Sequence, residues 1–263
     1  MNARRRKKVN WWPLLIIPAL AIIIFLTPVG SFLKRQLFGH SDEHIIPEVT
    51  NIGINIPAGY EVHGIDVSRY QLEIDWERVK NFQSGDFKVD FVLIKATEGT
   101  SLRDPNLGQN WNSARMHNFK MGAYHYFHPH LDPETQANFF VNSVNLQSGD
   151  IVPVLDIEEF QPGTTVEELQ QSCLIWLRLI ERKYGRKPIV YTSAKFYDNY
   201  FAGSEIDEYP VWIAHYHVGQ PDTKANWSFW QHSDRAQIDG IEGDVDANVF
   251  RGSLEELNNY CIP

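Results

Sequence analysis

The feature that most constrains this fold is the alternation, after residue 60, of short apolar segments with segments of helical pattern. Short runs rich in Val, Ile and Phe predict strands buried on both faces, and such strands occur in parallel sheets covered by helices. Eight of them predict a closed α/β barrel, and the short later connections predict an incomplete shell of helices. The predicted strands are Val62–Ser68, Phe91–Thr97, Met121–Phe127, Ile151–Glu158, Pro188–Ser193, Pro210–Tyr216, Ser228–Ser233 and Asp244–Phe250.

Four helices are predicted between the first five strands, and the fourth has the clearest pattern. In that helix Thr164 or Thr165 can cap the first turn, and Gly185 ends the last one. One apolar stripe runs along it, formed by Leu169, Cys173, Trp176, Leu177 and Ile180. The predicted helices are Asp75–Phe82, Pro105–Asn118, Pro133–Asn145 and Thr164–Tyr184.

Two carboxylates end the fourth predicted strand. Side chains at i and i+2 of a strand share a face, so Asp156 and Glu158 project together while Ile157 points away. Burial and mutual repulsion raise the pKa of such a pair, so that one member stays protonated near neutral pH. A general acid that cleaves a glycosidic bond needs that state. The alternative is an exposed strand end with two solvated acids.

Polar and aromatic residues occur at or near the ends of most of the other predicted strands. In barrels of this class the chemistry lies at the C-terminal ends of the strands, which favours a common site over two isolated acids. The residues at these ends are Asp66, Lys95, Glu98, Tyr124, Tyr126, Asp156, Glu158, Tyr191, Tyr216, Gln231 and Asp246.

Charge is distributed unevenly along the 263 residues, whose formal net charge is −9. The first 40 residues carry seven basic side chains and no acid, while the remainder carries 17 basic and 33 acidic residues. An acidic body excludes a nucleic-acid binder, which needs a basic face. The composition is that of a globular domain large enough for one core.

The N-terminus predicts a membrane anchor. A basic tail over residues 1–10 precedes an apolar segment over residues 11–30, long enough to span a bilayer. The excess of positive charge before the segment predicts a cytoplasmic N-terminus, with a tether over 31–60 and the barrel domain over 61–263 outside the cytoplasm, in the periplasm or at the cell surface. The alternative is a signal peptide that is cleaved, which releases the same domain.

The cysteines and histidines give little indication of a disulfide or of a metal site. Cys173 and Cys261 either form a disulfide, which an extracytoplasmic location permits, or remain free. The spacing of His125, His128 and His130 matches no metal-binding helix face, so no metal and no cofactor are predicted.

The strand motifs together resemble glycoside hydrolase family 25. The resemblance spans about residues 61–253 and is carried by HGIDVSRYQ (63–71) with IDW (74–76), FVLIKATEGT (91–100), GAYHYF (122–127), PVLDIE (153–158), PIVYTS (188–193), VWIAHY (211–216), FWQHS (229–233) and GDVDANVF (243–250). It implies a modified TIM-like barrel of eight strands and about five helices. It also implies a lysozyme that cleaves the β-1,4 bond between N-acetylmuramic acid and N-acetylglucosamine in peptidoglycan. Many relatives carry separate wall-binding modules, whereas this chain has a hydrophobic N-terminal segment.

By the same resemblance, Glu158 is the catalytic acid, and Asp156, Asp66 and Asp246 are the other active-site carboxylates. The alternative for Asp66 and Asp246 is a structural role at strand ends. Two acids on one strand flank one face of a sugar, so we expect substrate-assisted retaining catalysis rather than a carboxylate nucleophile. The expected substrate-binding residues are Tyr126, Tyr216, Tyr124, Tyr191, Gln231 and Lys95.

Two other functions stay open on the sequence. One is a peptidoglycan-binding protein, monomeric like the expected enzyme, that has lost turnover. The other is a hydrolase of another N-acetylated β-1,4 glycan such as chitin, which the same acetamide chemistry would serve. Trp212 and Trp230 are further candidates to stack on sugars, although alternation along strands predicts that about half of such aromatic residues face the core.

Overall fold

The computed structural model describes residues 52–263, and these form a closed eight-stranded barrel. The first strand, β1 (Val62–Val67), pairs with β4 (Phe91–Glu98) on one side and with β11 (Val245–Phe250) on the other, which closes the sheet. The predicted barrel is confirmed, with strand ends that differ from the prediction by a few residues. The barrel strands are β1 Val62–Val67, β4 Phe91–Glu98, β6 Lys120–Tyr126, β7 Val154–Asp156, β8 Ile189–Ser193, β9 Val211–Ala214, β10 Trp227–Ala236 and β11 Val245–Phe250.

One strand departs from the predicted parallel arrangement. The strands from β1 to β10 run parallel to their barrel neighbours, but β11 is antiparallel to both β10 and β1. The cause is the short connection between β10 and β11, which spans residues 237–244. A parallel crossover needs a dozen or more residues, whereas an antiparallel pair can be joined by a short loop.

Five α-helices lie around the barrel within the described residues. The four predicted helices are present. In the longest of them, α4 (Val166–Tyr184), Thr165 and Glu168 form a capping box and Gly185 ends the helix at φ 70°. The fifth helix, α5, was not predicted, because seven residues give too little helical periodicity to recognise. The helices are α1 Trp76–Asn81, α2 Leu107–Met116, α3 Pro133–Ser143, α4 Val166–Tyr184 and α5 Ala194–Tyr200. Three two-residue strands were also missed: β2 Gln83–Ser84, β3 Phe87–Lys88 and β5 Leu102–Arg103.

The core has two layers, one between the barrel and its helices and one inside the barrel. The inner layer fills the barrel toward the N-terminal ends of its parallel strands. It includes Phe91, Leu93, Val154, Ile189 and Phe229. Gly64 is required there, because a Cβ atom at this position would lie 2.5 Å from the ring of Phe91. Because apolar side chains fill this end, the opposite end of the barrel, at the C-terminal ends of the parallel strands, is left for polar side chains.

Both cysteines are free and buried. Cys173 lies in the layer between the barrel and α4, while Cys261 belongs to the inner layer, so the two are in different parts of the core. The predicted tail, membrane segment and most of the tether lie outside the described residues. None of the helices within residues 52–263 is long and apolar enough to cross a bilayer.

Candidate active site

The C-terminal ends of the parallel strands bring the predicted site residues to one end of the barrel. Asp156 on β7 is in register with Tyr126 on β6 and with Tyr191 on β8. Adjacent residues in register point to the same face, here the barrel interior. The acid at the end of β7 is therefore flanked by two tyrosines from the neighbouring strands.

The two carboxylates of the LDIE segment differ in environment. Asp156 is buried, whereas Glu158 lies two residues beyond the end of β7 and is exposed, so the predicted strand Ile151–Glu158 was too long. The backbone beyond the strand remains tied to the sheet, because Ile157 N–H donates to the carbonyl of Tyr191 at 3.0 Å. Ile157 is buried in the outer core, which turns Glu158 back toward the site.

Desolvation raises the pKa of both acids, whereas their mutual interaction raises the pKa of Asp156 and lowers that of Glu158. For Asp156 the main cause is desolvation, reinforced by Glu158 and only partly offset by Lys95. For Glu158 desolvation also raises the pKa, while the interaction with Asp156 and the charge of Lys95 lower it. The pair therefore retains a proton to higher pH than two free carboxyl groups do. One oxygen of Asp156, Oδ1, is buried without a hydrogen-bond partner among residues 52–263.

Asp66 is the acceptor at the centre of a buried network. Its Oδ2 accepts one bond from Gln231 Nε2 at 2.8 Å and another from Asn248 Nδ2 at 2.7 Å. Desolvation raises the pKa of Asp66, and these two donors oppose that effect. Asn248 is itself oriented by Trp212, whose Nε1–H donates to Asn248 Oδ1 at 2.8 Å.

Asp246 reaches the same end of the barrel by a different route. It lies near the start of β11 rather than near a C-terminal strand end, and the reversal of β11 places it directly opposite Asp66. Facing pairs on an antiparallel ladder have Cβ atoms about 4.5–5.5 Å apart. Desolvation first, and then the charge of Asp66, raise the pKa of Asp246.

Lys95 is the buried cation of the site. Its Nζ lies 2.7 Å from Glu98 Oε2 and 4.9 Å from the centre of the Tyr126 ring. Its positive charge lowers the pKa of both Asp156 and Glu158. Lys95 therefore forms a salt bridge with Glu98 and also lies close enough to the acids to affect their pKa values.

A groove of about 490 Å³ opens beside Glu158. Its walls come from the ends of β8 and β9, from α5 and from the loop after β9. Its lining residues include Tyr191, Lys195, Asn199, His215, Tyr216 and Asp222. The groove thus presents two tyrosines, a cation and one side-chain amide next to a carboxyl group with a raised pKa.

Comparison with known proteins identifies the family. The sequence model of glycosyl hydrolases family 25 matches residues 65–241. The chain belongs to this family. Protein YegX of Escherichia coli K12, itself uncharacterized, is 45% identical over 213 residues, which cover 81% of this chain and 78% of YegX. Lysozyme M1 of Streptomyces globisporus is 32% identical over 244 residues, covering 87% of this chain and 78% of that enzyme.

Solved structures agree with this family assignment. A family 25 glycosyl hydrolase from Bacillus anthracis superposes with a TM-score of 0.70 at 31% identity, over 77% of this chain and 94% of that one. A lysozyme from Streptomyces coelicolor gives a TM-score of 0.71 at 28% identity, over 77% and 98% of the two chains.

In this family 25 chain the aromatic residues predicted to contact sugars differ in how deeply they are buried. Tyr126 and Tyr216 are half-buried at the site, while Tyr124 and Tyr191 lie deeper in the barrel, and Tyr191 forms part of the groove wall. Trp212 is buried inside the barrel, and Trp230 is buried in the outer core, where its Nε1–H donates to the carbonyl of His215. The two tryptophans therefore do not face the groove.

Three polar residues of the site were not singled out for it from the sequence. Asn248 could have been assigned to the site from the sequence, because it lies two residues after Asp246 on the same strand and so shares its face. No sequence pattern places Glu159 and His128 in the site, since both lie in loops whose course depends on the fold. His125 faces the outer layer, where it contacts Thr97 and Gln136.

Proposed function

We infer that this family 25 chain is a muramidase, a lysozyme that hydrolyses the β-1,4 bond between N-acetylmuramic acid and N-acetylglucosamine in peptidoglycan. The observation that carries the proposal is the Asp156 and Glu158 pair, with raised pKa values, beside a groove at the C-terminal end of the barrel. Relatives named lysozyme or muramidase from bacteria and fungi support the same activity.

Glu158 is assigned as the general acid. It is exposed to a substrate in the groove, and its raised pKa favours the protonated form that can protonate the leaving oxygen. After the leaving sugar departs, the Glu158 carboxylate can remove a proton from the incoming water. A positioned acid of this kind contributes about 10²–10⁴ in rate.

Asp156 is assigned to the 2-acetamido group of the muramic acid residue. Asp156 ends β7 and Glu158 lies two residues beyond it, so both acids come from the same edge of the site and approach the sugar from one side. A carboxylate nucleophile facing the acid across the sugar is therefore disfavoured, and the acetamido oxygen attacks its own anomeric carbon instead. The unpaired Asp156 Oδ1 can accept the acetamide N–H and orient this group.

Asp66 and Asp246 are assigned as supporting carboxylates, and the tyrosines as contacts to the sugars. The donors on Asp66 and the raised pKa of Asp246 support a shared proton in this part of the site. Tyr126, Tyr216, Tyr191 and Lys95 lie next to the acids or on the groove wall, which supports their assignment to substrate binding. Tyr124 and Gln231 are buried beneath them, and Gln231 acts by positioning Asp66.

The full chain is further proposed to be held at the membrane by residues 11–30, with the barrel outside the cytoplasm, where peptidoglycan is found. The apolar sequence of this segment and the preceding basic residues support the proposal. Membrane fractionation combined with protease treatment of intact cells tests it. Recovery of the barrel domain in the soluble cytoplasmic fraction would contradict it.

The activity is tested by incubating the protein with purified peptidoglycan and identifying the new reducing ends by mass spectrometry after reduction. A muramidase produces reducing N-acetylmuramic acid, and it leaves chitin oligomers intact. New reducing ends on N-acetylglucosamine, or cleavage of chitin alone, would contradict the proposal. NMR of the freshly formed anomer tests the route, since substrate assistance requires retention and inversion would exclude it.

A further inference from the structure

We propose, resting on the muramidase function above, that Glu159 is a positioning residue: held by His128, it fixes the Tyr126 hydroxyl at the edge of the site and places a second negative charge beside the general acid. Glu159 directly follows Glu158 in the chain, and the sequence motif alone assigns it no role.

The geometry is a closed circle of five side chains, here called the rim circle. Tyr126 OH donates to Glu159 Oε1 at 3.1 Å, and the other carboxylate oxygen, Oε2, lies 3.4 Å from His128 Nδ1. His128 Nε2 lies 3.4 Å from Glu98 Oε1, and Glu98 Oε2 lies 2.7 Å from Lys95 Nζ. Lys95 closes the circle, because its ammonium group lies over the ring of Tyr126 at 4.9 Å.

An irregularity in β4 makes the rim circle possible. Lys95 is in register with Tyr124 and Glu98 with Tyr126, so three residues on β4 span two on β6. A bulge of this kind re-aims the side chains that follow it. Without it, residues at i and i+3 would point to opposite faces, and Glu98 could not reach Lys95.

A buried glutamine fixes the backbone of His128. Gln136 on α3 is fully buried, its Oε1 accepts the N–H of His128 at 2.9 Å, and its Nε2 donates to the carbonyl of His128 at 3.0 Å. His125 contacts the same amide at 3.2 Å. The imidazole that holds Glu159 is therefore anchored to the helical layer rather than carried on a free loop.

The charge of Glu159 acts on Glu158 together with several other groups. Asp156 and Lys95 lower the pKa of Glu158, while Glu159 raises it. Asp66, Asp246, Tyr126, Tyr191 and Tyr216 also interact electrostatically with Glu158, and Lys195, Asp198, Asp222 and His215 share the groove with it. Two like charges more than about 4 Å apart in water interact by less than about 1 kcal/mol, so we expect an effect of about half a pKa unit.

Two variants separate the charge of Glu159 from its hydrogen bond. Glu159→Gln keeps an acceptor for Tyr126 but removes the charge, so the alkaline limb of the kcat/KM pH profile should move about half a unit lower with KM unchanged. Tyr126→Phe removes the hydroxyl but keeps the charge, so KM should rise about two- to tenfold without a shift of that limb. Glu159→Ala should show both effects. Glu61→Gln, an exposed acid ahead of β1 at the opposite end of the barrel, is the matched control.

A second readout does not require turnover. In protein labelled with ¹³C at the glutamate carboxyl carbon, the resonance of Glu158 is assigned by its loss in Glu158→Gln, and its titration is followed in the unsubstituted protein and in Glu159→Gln. A pKa of Glu158 that is lower in Glu159→Gln supports the inference, and an unchanged pKa together with an unchanged pH profile overturns it. Absence of peptidoglycan cleavage by the unsubstituted protein would instead overturn the proposed function, and the titration would still decide the role of Glu159.

Discussion

Gln231 donates to Asp66 at 2.8 Å, and the hydroxyls of two tyrosines fix the orientation of its amide. Tyr191 OH and Tyr216 OH both donate to Gln231 Oε1, at 2.7 and 2.5 Å, which turns the Nε2 donor toward Asp66. Asn248, which donates to the same Asp66 oxygen, is oriented in a similar way by the Nε1–H of Trp212. Asp66 is therefore bound by two amides, each of which is itself held.

Replacing Gln231 by glutamate should inactivate the site. The substitution exchanges the donor for a second carboxylate beside Asp66, which removes a bond that lowers the pKa of Asp66 and adds repulsion that raises it. We expect kcat/KM on peptidoglycan to fall at least about tenfold, because the variant loses one buried hydrogen bond and gains a like charge beside Asp66. Gln109→Glu, on the exposed face of α2, is the matched control. Full activity of Gln231→Glu would show that the donor to Asp66 is dispensable.

Replacing Asp246 by asparagine should stabilise the protein at neutral pH. The pKa of Asp246 is higher in the folded protein than in the unfolded chain, so its contribution to stability is complete below about pH 4 and is lost as the pH rises through the folded-state value. The asparagine variant does not pay this cost, and we expect a gain of at least about 1 kcal/mol in the free energy of unfolding at pH 7, vanishing near pH 3. Urea denaturation at both pH values measures it. A loss of stability at pH 7 would contradict the burial argument.

His232 should make the protein sensitive to acid. Burial lowers its pKa to about 3, and its Nε2 has no hydrogen-bond partner within the described part of the chain. The unfolded chain takes up a proton near pH 6.5, so stability falls as the pH drops from there toward 3, by up to about 3 kcal/mol at pH 4. His232→Phe should show a shallower loss of unfolding free energy between pH 7 and pH 4. Parallel curves for the two proteins would exclude this histidine as the cause.

Activity should fall on the alkaline side as Glu158 loses its proton. A general acid works only when protonated, and desolvation places the pKa of Glu158 above that of a free glutamate. The profile of kcat/KM against pH should therefore have a descending limb above the ordinary glutamate range. Lys95→Met removes a charge that lowers this pKa, so in that variant the limb should lie at higher pH. A limb that moves in the opposite direction would show that another group titrates there.

The barrel was predictable because its signals are local. The apolar strands, the capping box at Thr165 and Glu168 and the stripe on α4 are each readable over a few residues. The placement of Asp156 and Asp66 at one end followed from period-two alternation and the parallel arrangement. These are the parts of the site that depend on strand position alone.

The remaining parts depend on contacts that single segments do not encode. The sequence placed Asp246 with the C-terminal strand ends, whereas it lies near the start of a reversed strand, and only the length of the β10–β11 connection signalled this. The bulge that brings Glu98 to Lys95 arises from the register between β4 and β6. Glu159 and His128 meet because two loops from different strands converge, which no periodicity describes.

The role of Glu158 is tested most directly by the release of products ending in reducing N-acetylmuramic acid from purified peptidoglycan, compared between the unsubstituted protein and Glu158→Gln. We expect release by the unsubstituted protein and a reduction of about 100-fold or more in the variant, because the glutamine amide cannot supply the proton. Equal release by the two proteins, or binding to peptidoglycan without any release, would contradict it.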